Sequence, residues 1–152
     1  MYPNLILLLG RILTTPIMLV YGLQKLVETN AFINNPATMN MLATLGYGAP
    51  APIWLAYLNG FFQFASSLFV LFGYKAKLAS YAIVLWLMPV TYFGHPFWSG
   101  VNAAFNEAQF YKNLAIISAF LFIGLHGAGR YSVDSFFASR RLVTRSALSN
   151  DR

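Results

Sequence analysis

The sequence predicts an all-α fold, a transmembrane four-helix bundle within a single domain, and two observations carry this prediction. Hydrophobic residues make up 58% of the chain and charged residues only 9%, whereas soluble domains carry charge on about a quarter of their residues. Four apolar stretches also approach the length of about 20 residues that a helix needs to cross a bilayer. This number of charged side chains is too small to cover a surface that faces water. We therefore expect lipid to surround the helices.

The four predicted spans are Leu5 to Lys25, Ile53 to Phe72, Ala76 to Gly94 and Asn113 to Gly129. Pro16 and Pro89 lie inside the first and third spans. Membrane helices tolerate such prolines because neighbouring helices can satisfy the freed carbonyl groups. The connection at Gly73, Tyr74 and Lys75 is very short, so the second and third spans are expected to form an antiparallel hairpin.

The basic residues predict the orientation of the bundle. Lys75 and Lys77 lie at the short second connection, and the tail carries Arg130, Arg140, Arg141, Arg145 and Arg152. The positive-inside rule places both regions, and hence both termini, on the cytoplasmic side. We therefore predict a membrane domain over residues 1–134 and a basic cytoplasmic tail over 135–152, held near anionic lipid. Because the net charge of +6 is concentrated beside an apolar segment, nucleic-acid binding is not expected.

The two connections on the predicted outer side carry apolar residues at helical spacing. They are Thr38, Met41, Leu42 and Leu45 in the first connection, and Phe97, Val101, Ala104, Phe105 and Ala108 in the second. This spacing predicts short amphipathic helices lying in the outer interface. On the inner side, Ser132 is expected to cap a short helix that carries Phe136 and Phe137.

Several classes of chemistry are excluded by composition. The chain contains no cysteine, which removes thiolate catalysis, disulfide exchange and iron–sulfur clusters. Two histidines and four acidic residues are scattered along the sequence, so a metal site with several ligands is not expected. We predict no covalent or metal cofactor, and no catalytic residue can be assigned.

Polar residues inside the predicted spans are the candidates for ligand binding, because such groups are costly in hydrocarbon unless they face the interior of the bundle. Arg11 and Lys25 share one face of the first span, about 21 Å apart along its axis. The candidate ligand-binding residues are Arg11, Lys25, Asn59, Gln63, Lys112, Asn113 and His126.

Each candidate also has a plain structural interpretation. Lys25 and Lys112 lie near span ends, where a long side chain can reach the headgroups. Asn59 and Gln63 could simply form interhelical hydrogen bonds, which contribute about 0.6 kcal/mol on average in membranes. His126 could be a structural residue, bind a quinone carbonyl or relay a proton.

Arg11 is the hardest of the candidates to explain, because no predicted span contains an acidic residue. It could extend to the lipid phosphates. It could also bind backbone carbonyl groups, His126, a ligand oxygen or an acidic residue of another subunit.

The order of these motifs resembles the DoxX family of small bacterial four-helix membrane proteins. The resemblance rests on Gly10-Arg11 with Tyr21-Gly22-Leu23-Gln24-Lys25, on Gly60 with Leu71-Phe72-Gly73, on Phe110-Tyr111-Lys112-Asn113-Leu114-Ala115, and on Gly127-Ala128-Gly129-Arg130-Tyr131-Ser132-Val133-Asp134. Members of the family commonly have a glutamate in the second helix where this chain has Gln63. A proton-handling or cation-pairing role of that glutamate would therefore be lost here.

The resemblance implies a protein of the bacterial inner membrane associated with redox chemistry. Some members of the family look like subunits of quinone-reducing, sulfur-oxidising enzymes, and others partner soluble redox enzymes. We therefore expect a subunit that is not catalytic alone, that binds quinone or lipid, and that tethers other subunits or a second copy of itself. The alternatives are a purely structural accessory subunit and a small-solute transporter that acts as an oligomer.

Overall fold

The computed structural model describes residues 2–48 and 51–140, and the part of the chain that it describes is helical without any strand. The helices are α1 (Tyr2–Val27), α2 (Thr29–Ile33), α3 (Pro36–Thr44), α4 (Ile53–Phe72), α5 (Ala76–Gly94) and α6 (Ala103–His126). A 3-10 turn at Phe97–Ser99 lies between α5 and α6, and residues 133–140 are helical as well. The predicted all-α class is confirmed. Arg141, Arg145 and Arg152 of the predicted tail lie outside the described residues.

Four helices, α1, α4, α5 and α6, are long and apolar enough to cross a membrane. The second and third spans have the predicted bounds, and α1 extends the first span slightly at both ends. The sequence-based orientation of the termini stays a prediction.

The fourth span differs from its predicted bounds, since it begins ten residues earlier, at Ala103 instead of Asn113. The apolar spacing at Ala104, Phe105 and Ala108 therefore belongs to the first turns of α6, and the second outer connection keeps only the 3-10 turn. The helix ends at His126 because Gly127 adopts a φ of +80°, a conformation that suits glycine and ends helices. The first outer connection forms α2 and α3, so the helices predicted there are present.

The spans pack in the order α1, α4, α5 and α6, and the contact between α1 and α4 is the most extensive. Gly22 and Gly60 lie where these two helices cross. A Cβ atom on Gly22 would stand 2.8 Å from the backbone nitrogen of Phe64, and one on Gly60 would stand 2.9 Å from the carbonyl oxygen of Gly22. The two backbones are thus in direct contact, which small residues permit in membrane helix pairs.

The interior of the bundle is apolar and so is much of its surface. Val70, Ile83 and Phe120 are fully buried in the central cluster. Large side chains also face outward along the spans, and Leu13 and Leu85 are 77% and 70% exposed. Contiguous exposed apolar surface of this kind is unusual for a soluble monomer, and it agrees with lipid as the surrounding medium.

A tight turn joins α4 to α5. Gly73 has a φ of +70°, and the backbone N–H of Tyr74 donates to the carbonyl oxygen of Phe69 at 2.8 Å. This pattern ends a helix within one residue. The predicted hairpin of the second and third spans is confirmed, and the turn lies at the same end of the bundle as Arg11.

Candidate functional site

Arg11 is buried at the end of the bundle where α1 begins, with 1% of its surface exposed. Its Nη1 donates to the carbonyl oxygen of Leu71 at 3.3 Å, and its Nη2 donates to the carbonyl oxygen of Tyr131. Leu71 lies in the last turn of α4, and Tyr131 lies in the segment that follows α6. Of the partners that the sequence left open for Arg11, the structure selects backbone carbonyl groups. One side chain thereby ties three parts of the chain together.

The segment after α6 folds back onto the turn between α4 and α5. The carboxylate of Asp134 accepts hydrogen bonds from the backbone N–H groups of Lys75 at 2.9 Å and Ala76 at 3.3 Å. These are among the donors that a helix leaves unpaired at its N-terminus. The N–H of Asp134 in turn donates to the carbonyl oxygen of Gly73 at 3.0 Å. Asp134 therefore caps α5 from a distant part of the sequence, and its charge also attracts Arg11.

Sequence reasoning missed this role of Asp134. The sequence feature that could have indicated it is the position of this acidic residue, two residues after Ser132 and four after Arg130. The predicted cap at Ser132 is confirmed, because its hydroxyl oxygen accepts a hydrogen bond from the N–H of Ser135 at 3.2 Å.

The structure does not bring His126 to Arg11. Its Nδ1 lies 3.0 Å from the carbonyl oxygen of Phe122, and its ring stacks on that of Phe122 with a centroid distance of 6.1 Å. His126 is exposed at the end of α6. Of the partners left open for Arg11, His126 is therefore not one that the described hydrogen bonds include.

The second polar site lies at the opposite end of α1. The Nζ of Lys25 donates to Oδ1 of Asn59 at 3.0 Å and to Oε1 of Gln63 at 2.5 Å. The same nitrogen lies over the rings of Trp86 and Phe32, at 4.9 Å and 5.1 Å from their centroids. We call Lys25, Asn59, Gln63, Trp86 and Phe32 the Lys25 cluster.

The crossing of α1 and α4 positions this cluster. Gly22 lies one turn before Lys25, and Gly60 lies between Asn59 and Gln63 in sequence. Because the two glycines let the backbones touch, the lysine side chain reaches both amides. Gln63 is 3% exposed.

The amide of Gln63 is held in a fixed orientation. Its Nε2 donates to the sulfur of Met18 at 3.4 Å, so Oε1 is turned toward Lys25. The two amides of α4 therefore form hydrogen bonds between helices, and their partner on α1 is the charged ammonium group of Lys25.

Lys112 of α6 adds a second positive charge at this end of the bundle. Its Nζ lies 5.2 Å from the ring centroid of Tyr21, and it donates to Oε1 of Gln109. Its positive charge repels the positive charge of Lys25. Within residues 2–48 and 51–140, the polar partners of these two lysines are neutral amides and aromatic rings, with no carboxylate among them. The site is consequently electropositive.

Asn113 is 5% exposed and shares a face of α6 with Ile117 and Phe120 of the apolar core. Among the described contacts, no hydrogen bond joins it to the Lys25 cluster. The structure thus brings together Lys25, Asn59 and Gln63, with Lys112 nearby, and leaves Arg11, Asn113 and His126 apart from them. Sequence analysis missed the aromatic partners Trp86, Phe32 and Tyr21. In a chain this rich in aromatic residues, the sequence does not distinguish a ring that contacts a lysine from a ring that faces lipid.

The DoxX family model matches residues 6–96, which is more than half of the chain. The chain belongs to the DoxX family. A curated relative in this family, the inner membrane protein YphA of Escherichia coli strain K12, is 24% identical over 131 residues, and the match covers 85% of this chain and 88% of the relative. No solved structure matches this DoxX protein significantly.

Proposed function

We propose that this DoxX protein is a membrane subunit of a quinone-linked oxidoreductase assembly, and that it binds a quinone headgroup, or a lipid headgroup in the same place, at the Lys25 cluster. The observation that carries the proposal is the environment of the Lys25 ammonium group. It is held by two amide oxygens and two aromatic rings at the end of a membrane helix, and no carboxylate among the described residues neutralises it.

The hydrogen-bonding capacity of Lys25 supports this proposal. An ammonium group has three N–H donors, and Asn59 and Gln63 accept from two of them. A third donor is left for an acceptor that arrives from the membrane. A quinone carbonyl oxygen is such an acceptor, and the flat ring of a quinone can pack on an aromatic side chain such as Trp86.

The chain is proposed to position the quinone and not to reduce it. It contains no cysteine and so has no thiol or iron–sulfur chemistry of its own, and the electrons are proposed to come from a partner that carries a redox group. The many exposed aromatic residues of the spans, such as Phe61 at 66% and Phe122 at 62% exposure, are available for contacts with such a partner, with a second copy or with lipid. The chain is proposed to lie in the bacterial inner membrane, because its relative in Escherichia coli is named an inner membrane protein. Both termini are proposed to face the cytoplasm, because the basic residues lie on that side by the positive-inside rule.

Mass spectrometry of the purified protein tests the proposal. The wild type, the Lys25→Met variant and the Lys75→Met variant are purified from membranes in mild detergent, and bound quinone and lipid are extracted and quantified per protein molecule. Lys75→Met is the matched control, because Lys75 is an exposed lysine at the opposite end of the bundle.

We expect Lys25→Met to retain about tenfold less quinone than the wild type, since a hydrogen bond from a charged donor contributes about 1.5–3 kcal/mol. Lys75→Met should retain the wild-type amount. Equal quinone content in all three proteins would contradict the proposal. Copurification of partner chains without quinone or lipid would instead support a purely structural accessory role.

A further inference from the structure

A cavity of about 510 Å³ opens between the first half of α1 and the last turns of α6. This is within the range of about 300–1,000 Å³ that ligand sites usually occupy. Ile6, Leu7 and Gly10 of α1 form one wall, and Ala119, Phe122 and Ile123 of α6 form the other. We call it the α1–α6 groove. It lies at the Arg11 end of the bundle, away from the Lys25 cluster.

The packing of the spans explains why the groove exists. α1 packs mainly on α4, and α6 mainly on α5, so that α1 and α6 form the loosest of the four contacts between adjacent spans. Gly10 widens the gap further, because a Cβ atom placed there would meet nothing within 4 Å. A membrane-facing groove with apolar walls cannot be filled favourably by water, so a hydrocarbon chain is the matching occupant.

Two cationic residues, Lys77 and Arg130, lie beyond the end of the groove that His126 lines. The side chain of Lys77 lies close to Gly127, which follows His126, since its Cε would stand 3.1 Å from a Cβ atom on Gly127. Arg130 is anchored beside the start of α1, since its backbone N–H donates to Oδ1 of Asn4 at 2.9 Å. In the part of the chain that the structure describes, neither the Lys77 nor the Arg130 side chain has a polar partner. Asp134, the acidic residue that follows, is engaged by the N-terminus of α5.

We infer that the α1–α6 groove binds one acyl chain of an anionic phospholipid, whose phosphate group is bound by Lys77 and Arg130. The apolar walls match the chain, and the two cations at the end of the groove match the headgroup charge. Basic groups at this depth attract anionic lipids in preference to zwitterionic ones. The groove and the Lys25 cluster lie at opposite ends of the bundle, so this inference does not depend on the proposed quinone site.

Native mass spectrometry of the full-length protein in detergent tests the inference. Phosphatidylglycerol, which is anionic, and phosphatidylethanolamine, which is zwitterionic, are titrated separately with acyl chains of the same length, and the fraction of protein that carries one lipid is measured. We expect the wild type to retain one phosphatidylglycerol more tightly than phosphatidylethanolamine. The double variant Lys77→Gln, Arg130→Gln should lose about 25-fold in affinity for phosphatidylglycerol, at about fivefold for each cation, and should no longer distinguish the two lipids.

Gly10→Leu tests the groove itself. The new side chain enters open space and not the protein, and leucine favours a helix more than glycine does, so the variant should fold. It should displace the lipid chain and weaken the binding of phosphatidylglycerol. Leu85→Phe is the matched control, because it adds bulk to an exposed position on α5, which does not line the groove, and it should bind lipid as the wild type does.

Two results would overturn the inference. One is equal retention of the two lipids by the wild type, and the other is unchanged lipid binding in Gly10→Leu. If the wild type is a dimer in the same spectra and Gly10→Leu is a monomer that still binds lipid, the groove would be assigned to a second copy of the chain. Quinone retention by Lys25→Met is a separate measurement, so the failure of one proposal leaves the other standing.

Discussion

The two cations of α1 lie at opposite ends of the same helix face and have opposite kinds of environment. Arg11 is almost completely buried, and its guanidinium group donates to backbone carbonyl oxygens of α4 and of the segment after α6. Lys25 is only partly buried, and its ammonium group donates to side-chain amides between aromatic rings.

The difference separates a structural cation from one suited to ligand binding. Both partners of Arg11 are backbone carbonyl groups, one in the last turn of α4 and one in the segment after α6, so this side chain holds parts of the fold together. The amide oxygens of Asn59 and Gln63 accept from two of the three N–H groups of the Lys25 ammonium, which leaves the third N–H as a donor for a bound molecule. The identity of the partners, more than the charge, therefore distinguishes the two ends.

Arg11→Leu is expected to cause the largest loss of stability. The variant removes the hydrogen bonds from the guanidinium group to the partly buried carbonyl oxygens of Leu71 and Tyr131, and each hydrogen bond of a charged group contributes about 1.5–3 kcal/mol. We expect a loss of about 3 kcal/mol or more, measured by thermal unfolding in detergent monitored by circular dichroism. Lys25→Leu is the comparison variant and should lose only about 1 kcal/mol. Equal effects of the two substitutions would show that the two ends do not differ as described.

Gly22→Ala is expected to have the next largest effect. Its Cβ would stand 2.8 Å from the backbone nitrogen of Phe64, so α1 has to move away from α4, and overpacking of this kind costs about 1–3 kcal/mol. The movement should also separate Lys25 from Asn59 and Gln63 and reduce the binding of quinone.

Gly10→Ala is the matched control for this prediction, because its Cβ meets nothing within 4 Å. It should be neutral or stabilising in the same unfolding experiment, since alanine favours a helix by about 1 kcal/mol over glycine. If both glycine variants unfolded alike, the close crossing of α1 and α4 would not be what positions the Lys25 cluster.

Asp134→Ala is expected to have the smallest effect of the three. It removes the acceptor for the N–H groups of Lys75 and Ala76, and loss of a helix cap costs about 0.5–2 kcal/mol. Unfolding should begin at the Arg11 end, and hydrogen exchange should increase at the first turn of α5.

Asp134→Asn separates capping from charge. The amide oxygen can still accept a hydrogen bond from the N-terminus of α5, while the attraction to Arg11 is lost. Stability close to that of the wild type would assign the role to capping, and a loss as large as in Asp134→Ala would assign it to the charge.

Much of the architecture could be predicted from the sequence. The bounds of the second and third spans and the hairpin between them follow from two long, mainly apolar runs and from Gly73 between them, since these signals are local. The start of the fourth span was placed ten residues too late, because polar residues such as Asn106 and Glu107 interrupt the apolar run at the start of α6. A long helix that leaves the hydrocarbon still satisfies its own backbone, so the end of an apolar run does not mark the end of the helix.

The candidate site was predicted in part. The spacing of Arg11 and Lys25 placed them on one helix face, and the rarity of polar residues in the spans singled out Asn59 and Gln63. The sequence could not show that Gln63 contacts Lys25 while His126 fails to reach Arg11. Such contacts depend on how α1 and α6 are rotated about their axes, which the composition of a single helix does not specify.

By itself, the sequence determined the solvent of this protein and the number of its spans, because hydrophobicity and length are properties of each segment alone. Only the tertiary structure decided that Arg11 is buried with backbone partners and that Lys25 is partly exposed with side-chain partners. Arg11 acquires its partners only when the end of α4 and the segment after α6 meet around it, and Lys25 acquires its partners only where two glycines allow α1 and α4 to touch. These contacts join residues that are 38 and 120 positions apart in the sequence. They depend on how whole helices pack, and no local sequence pattern specifies that packing.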